Sequence, residues 1–459
     1  MKTKDLTSKH SKVNTLTFLL LITFVCIPIA TFPQEINRLS TIYLDAIADE
    51  MFDEADQIAK QMIEESIQTY GIDSHESASA MINLGMAQHG QEDFESAITN
   101  YETAIDIIER IENHLDKTLI NPLKGLAEAQ LSINRADLAE NSYNRAIHIS
   151  HVNDGPHNLQ QLENLQSLAD VYASSNEPKR AADVEKRIYY LQSRNIDPDS
   201  LEMIPALETL AKSQRKAFQY EKERRTWRKI IRITETHKGK ESLDLIRPLT
   251  ELGRSYIFIH FTTMAYDDPP VVSKGDSYLK KAIRITEKNP DTSWLQIVEA
   301  KMNLADYYIL SDRANRSYKL YRIIWDLLSE DKIKLEYRAA SLEIPVILER
   351  INPPIYFEDS STSTQTETPS EYKEAFVSFN FNVTKRGLAR NINRASFNPD
   401  GLDAMHKVIG NNIRHLVYRP KFKNRDPVIA QNVSYKHQFF YKQNETSDQA
   451  GSDDLSDEK

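Results

Sequence analysis

Residues 81–110 read MINLGMAQHGQEDFESAITNYETAIDIIER, and this stretch decides the fold. From Gly85, steps of 12, 16 and 19 residues reach Ala97, Tyr101 and Ala104. Small side chains at those steps let two antiparallel helices approach closely, and the aromatic between them fills the gap against the next helix, in the manner of ridges set into grooves. Strong helix formers occupy the intervening positions.

Outward from this unit the pattern repeats. Leu84-Gly85, Leu126-Ala127, Leu168-Ala169 and Leu210-Ala211 are spaced by 42 residues, Leu252-Gly253 keeps the register, and Leu304-Ala305 follows 52 residues later. From Ala127 the same steps reach Ala139, Tyr143 and Ala146, and an earlier copy centres on Tyr43. A fixed period of this length is the mark of stacked structural repeats. Seven units between 36 and 330 are expected, with Glu185 and Glu223 breaking the pattern in the fourth and fifth. The ten extra residues of the sixth unit are placed near Ala265 to Gly275, where Pro269-Pro270 forces a loop. The small-residue and aromatic positions resemble the tetratricopeptide signature, and the long period resembles repeats of the kinesin light chain type. The resemblance implies an α-α superhelical solenoid whose first helices line a concave surface for partner proteins. Carried onto this chain, the lining positions are Lys124, Glu128, Gln166, Asp170, Glu208, Lys212, Arg215, Thr250, Arg254 and Asp306. A capping helix is expected over 331–351, since the open end of such a stack needs a polar cover.

Both ends of the chain differ in character. Lys2, Lys4, Lys9 and Lys12 precede an apolar run from Leu16 to Ala30, so 1–33 reads as a secretory signal peptide or an inner-membrane anchor, and the protein as exported to the periplasm. The single cysteine, Cys26, falls inside that run, which excludes disulfides and thiol catalysis from the rest of the chain. The net charge of −10 argues against a nucleic-acid partner. Part of it sits in an acidic tail, 444–459, expected to be disordered.

Beyond a Ser/Thr-rich linker at 352–373, the apolar period changes to two. Val377, Phe379, Phe381 and Val383 mark a strand, Lys385-Arg386-Gly387 a turn, and Leu388 to Ser396 a second strand. A helix carries Leu402, Met405, Ile409, Ile413 and Leu416, and a last strand carries Val433, Tyr435, His437, Phe439 and Tyr441. The order ββαβ over 374–443 gives a small α+β domain with a three-stranded antiparallel sheet. With Tyr418-Arg419-Pro420 and Pro427-Val428, it resembles the TonB carboxy-terminal domain, although Arg425-Asp426 stands where that family usually has a glycine. The resemblance implies a module that takes a partner's strand onto its sheet edge.

No phosphate-binding loop, dinucleotide fingerprint, nucleophile elbow or zincin motif occurs. His148, His151 and His157 cluster with Asp154 at a turn, and the stretch from Lys212 to Arg232 is basic, but both read as solvated surface. The expectation is therefore a non-enzymatic envelope scaffold without cofactor or metal, whose groove and TonB-like domain bind separate proteins. The alternative is a membrane-anchored TonB-type transducer acting with outer-membrane transport.

Overall fold

The computed structural model describes residues 34–257, 271–349, 356–357 and 372–442, so the amino-terminal segment, the proline loop of the sixth unit, most of the linker and the acidic tail lie outside the described residues. Two compact units divide after Ile196. The first holds four antiparallel helix pairs: α1 Gln34–Ala48 with α2 Phe52–Tyr70, α3 His75–Gly90 with α4 Phe94–Ile111, α5 Ile120–Ser132 with α6 Ala136–Asp154, and α7 Gln161–Ser174 with α8 Pro178–Asn195. The second holds three: α9 Ile204–Lys216 with α10 Tyr220–Lys238, α11 Ile246–Ser255 with α12 Val271–Lys288, and α13 Trp294–Leu310 with α14 Ala314–Leu327. The seven expected units are these seven pairs.

Each pair closes at its small residues. A Cβ added to Gly85 would stand 3.1 Å from the Tyr101 ring and 3.2 Å from the Ala97 carbonyl oxygen. Ala97, Ala104, Ala127, Ala139 and Ala146 are fully buried, with Tyr101 and Tyr143 nearly so. In the sixth pair the insertion shifts the signature. Gly275, expected in the loop, lies inside α12, and a Cβ on it would come within 2.6 Å of the Gly253 carbonyl oxygen. Leu279 and Ala282, both buried, follow it at the usual steps.

Among the described residues, the turn inside the pairs is also periodic. Glu50, Glu92, Asn134, Asn176, Phe218 and Asp312 all have positive φ, between 54 and 65°. The N–H of the next residue returns to a carbonyl five positions back, as in Asp93 to Gln88 at 2.9 Å and Gln219 to Gln214 at 2.8 Å. This is the Schellman ending, whose left-handed position favours glycine. A second tie runs inside three pairs: Asn100, Ser142 and Thr226 each donate a hydrogen bond to a buried glutamine (Gln88, Gln130 and Gln214) at 2.7, 3.0 and 2.9 Å. In the fifth pair Glu223 stands where alanine is expected, and Arg215 answers the buried carboxylate with a 2.7 Å hydrogen bond from Nε.

The helix expected over 331–351 stops early. α15 spans Lys332–Ser341 and buries none of its residues, and the chain then extends into strand β1, Val346–Glu349. β1 finds a backbone partner in the small domain, which a further helical turn would not have supplied. The linker likewise contributes a strand, β2 Tyr356–Phe357. The domain continues with β3 Tyr372–Val383, β4 Ala389–Asn398, helix α16 Asp403–His415, β5 Val417–Arg419, β6 Phe422–Lys423, β7 Asp426–Pro427 and β8 Ala430–Lys442. The expected three-stranded antiparallel sheet is present in the order β8-β3-β4, extended by β2 running parallel to β8. β1 pairs antiparallel with β5. Met405, Ile409 and Ile413 on α16 pack over Val377, Phe379 and Phe381. The β6–β7 hairpin turns on Asn424 and Arg425, both at positive φ, a conformation that favours glycine.

The small domain is not held at a distance by its linker. It seats on the seventh helix pair through the Tyr418-Arg419-Pro420 stretch. Arg419 donates two parallel hydrogen bonds to Asp306 at 2.9 and 2.7 Å, and a third to the Ser341 carbonyl oxygen at 2.9 Å. Phe422 is fully buried, with its ring 5.0 Å from that of Tyr321 and its N–H on the Leu342 carbonyl oxygen at 2.7 Å. Arg322 pairs with Asp426, and Arg425 with Asp326, both at 2.7 Å. Gly387 sits under Tyr418, where a Cβ would lie 1.9 Å from the carbonyl oxygen.

Replacing Phe218, which is 67% exposed at φ +59°, with glycine relieves the left-handed strain. Phe218→Gly should raise the unfolding free energy by about 1 kcal/mol in urea titrations, whereas Phe218→Ala should give no gain. Arg419→Ala leaves the half-buried Asp306 carboxylate with the Tyr321 hydroxyl but no cation, a loss on the order of 3 kcal/mol in local stability. It should be seen as early protease cleavage beside the small domain. The double change Arg419→Leu/Asp306→Leu should recover most of that loss; failure to recover would show that the charged pair itself stabilises the seat, and not only the avoidance of an unpaired carboxylate.

Candidate functional site

In both units the first helices of successive pairs are neighbours, with α3 against α5 and α11 against α13, so their outward residues form a wall. Ion pairs stitch the wall at a fixed offset. Lys124 on α5 reaches Glu163 on α7, 39 positions on, and Glu208 on α9 reaches Arg247 on α11 at 3.0 Å over the same offset.

In the first unit the wall is acidic. Lys124 is almost fully buried and also lies 3.8 Å from Glu128. Burial pushes the Glu128 carboxyl above the usual range, and Glu163 adds to the shift while Lys124 opposes it. Burial likewise raises the Tyr143 hydroxyl, and the charges of Glu128, Glu163 and Asp170 add to the shift. Gln166 is exposed and donates to Glu185 at 3.3 Å. Glu185 is raised by burial, with Asp170 adding to the shift. The expected positions Lys124, Glu128, Gln166 and Asp170 thus share one face, together with Glu163 and Glu185. The lining positions taken from the signature omit Glu163, although the offset from Lys124 could have found it.

The second unit differs. Arg215 turns to Glu223 and to Glu251, the latter at 2.7 Å, so its charge is held within the fifth and sixth pairs. Lys212 is exposed and has no ion-pair partner among the described residues. Thr250 is buried, and its hydroxyl has no hydrogen-bond partner. Arg254 is half-buried, and no ion pair to it occurs among the described residues. Asp306 is occupied by Arg419 and by the Tyr321 hydroxyl at 2.6 Å. Two residues expected to meet separate partners therefore bind each other. Of the other residues expected to carry the small domain's motif, Tyr418, Pro420 and Pro427 are buried and Val428 is half-buried.

No group of three metal-ligating side chains occurs among the described residues, and the His157 ring instead meets Tyr190 edge-on at 5.6 Å. Among the described residues no helix is long and apolar enough to cross a membrane.

Residues 44–110 match the tetratricopeptide repeat family. No curated protein matches the chain. Among solved structures, a Podosopora anserina protein of kinesin light chain type with nearly identical TPR-like repeats is 12% identical, covering 46% of this chain and 99% of its own at a TM-score of 0.40. BtubC of P. vanneervenii is 18% identical, covering 53% and 96% at 0.34. A tetratricopeptide repeat protein of Parabacteroides merdae is 13% identical, covering 66% and 97% at 0.34. The family match lies on the first two helix pairs, and pairs of similar construction follow them through the seventh.

Proposed function

We propose that the protein is a non-enzymatic scaffold of the bacterial cell envelope, in which the first-helix walls hold extended segments of partner proteins and the TonB-like sheet serves as a second docking module. The observation that carries this reading is the acidic wall of the first unit. Glu128, Glu163 and Asp170 lie along this wall, and burial, with Glu163 adding to it, disfavours the charged form of Glu128 although Lys124 opposes the shift. Folding alone does not call for that arrangement, whereas a basic extended segment would neutralise it. Placement in the envelope is supported by the basic residues and apolar run of the amino-terminal segment. The docking role of the sheet is supported by β8, whose edge away from β3 has no strand partner over 430–439 among the described residues.

Partners captured by crosslinking in cells should change when the wall is reversed. Glu128→Lys with Asp170→Lys should lose a defined subset of the proteins that co-purify with the unaltered chain. An unchanged set would remove the wall from the function. The same wall predicts a stability effect. A carboxyl whose pKa rises on folding favours the folded state only at low pH, and that contribution fades as pH climbs through the folded value. Glu128→Gln should therefore be more stable than the unaltered protein at pH 7, with the difference shrinking towards pH 4. Thermal melts across that range would read it; an equal or lower melting temperature at pH 7 would contradict the raised carboxyl.

A further inference from the structure

A cavity of about 240 Å³ lies in the second unit, where α11 and α13 meet β1. Its walls include Arg254, Asn303, Asp306, Tyr307 and Arg419, together with the consecutive β1 residues Val346, Ile347 and Leu348. Side chains alternate across a strand, so three consecutive residues can line one space only if the strand presents its main-chain edge there. β5 pairs with one edge of β1, and no strand pairs with the other among the described residues.

The charges in this cavity do not balance. Asp306 already accepts both parallel bonds from Arg419 and a third from Tyr321. Arg254 then remains as a half-buried cation with no ion pair among the described residues. One helical turn before it on the same face of α11, the buried Thr250 hydroxyl has no hydrogen-bond partner. Among the described residues, a guanidinium without an ion-pair partner and an open strand edge thus meet in this cavity, with the buried Thr250 hydroxyl one helical turn away.

We propose that this cavity binds an extended acidic segment of a partner protein, whose main chain runs along β1 and whose carboxylate sits on Arg254. The inference deepens the scaffold reading and rests on it. It also assigns the seated small domain a task, because β1 and Arg419 form part of the walls. The guest differs in charge from that of the first unit, where the wall is acidic.

The test uses the full chain and a fluorescein-labelled, acetylated hexapeptide alternating Asp and Val, followed by fluorescence polarisation at low salt. Arg254→Ala should weaken binding by about tenfold or more, the scale of a lost charged hydrogen bond. Arg254→Lys should retain part of the affinity. Lys222→Ala, which changes an exposed cation on α10, should leave it unaltered. The melting temperature of Arg254→Ala should match that of the unaltered protein, since no internal ion pair is lost. Equal affinity for Arg254→Ala, or equal binding of an Asn-Val peptide, would overturn the proposal. Neither result bears on the crosslinked partners of the first-unit wall, so the two readings fail separately.

Discussion

Helix pairs of this length hold together only if their backbones come close, and the close approach depends on the absence of side-chain bulk at a few crossing points. Gly85 against Tyr101 and Ala97 shows the tolerance, since even one methyl group would press on both. Gly253 and Gly275 show it more severely, with backbone facing backbone. Interiors packed to crystal-like density leave no slack for a larger residue. The period of the chain follows from this constraint, because each pair must offer the next the same narrow contact. The left-handed turn residues are a consequence: the chain reverses within a few residues so that the second helix returns over the small positions. Non-glycine residues occupy those turns because the Schellman hydrogen bonds and the packing on either side fix the backbone there.

The same logic accounts for what the small domain does to the seventh pair. A stack of pairs leaves its last apolar face open, and a polar capping helix is one solution. Here α15 is short and buries nothing, and the cover comes from Phe422 inserted beside Tyr321 and Trp325. Arg419 fixes the register of that insertion. Its fork matches the Asp306 carboxylate, which a lysine could not do. Breaking one partner of such a pair is far more damaging than replacing both, so its worth lies in orientation more than in net stability.

Much of this was legible in the residues, and the misses share a cause. The helix pairs, the helix α16 and the long strands follow from local periodicity, which one element displays by itself. Gly275, Leu279 and Ala282 carry the signature of the sixth pair, yet the insertion displaces them and a fixed step passes over them. β1 was unreadable because a strand of four residues pairs with β5 about seventy positions away, and nothing local distinguishes Val346–Glu349 from the end of a helix. Arg419 was legible as a motif residue and Asp306 as a lining residue, but not as partners, since their meeting depends on the docking of two separately folded elements. The β6–β7 hairpin has no glycine, and only the positive φ of Asn424 and Arg425, with Arg425 paired to Asp326, shows how it turns without one.

The two walls also differ in how their charges are held, and that difference has a physical reading. In the fifth pair Arg215 offsets Glu223 and Glu251, so a departure from the repeat pattern is compensated inside the fold. In the first-unit wall and at Arg254 no such compensation is complete. Charges that cooperate only with the fold tend to be matched within it, because an unmatched half-buried charge carries a desolvation penalty with nothing to offset it. A charge left unmatched beside a groove or a cavity is offset only when something enters from outside. Glu128, whose lysine also serves Glu163, and Arg254, which has no ion pair among the described residues, are the charges that the proposed guests of opposite sign would offset.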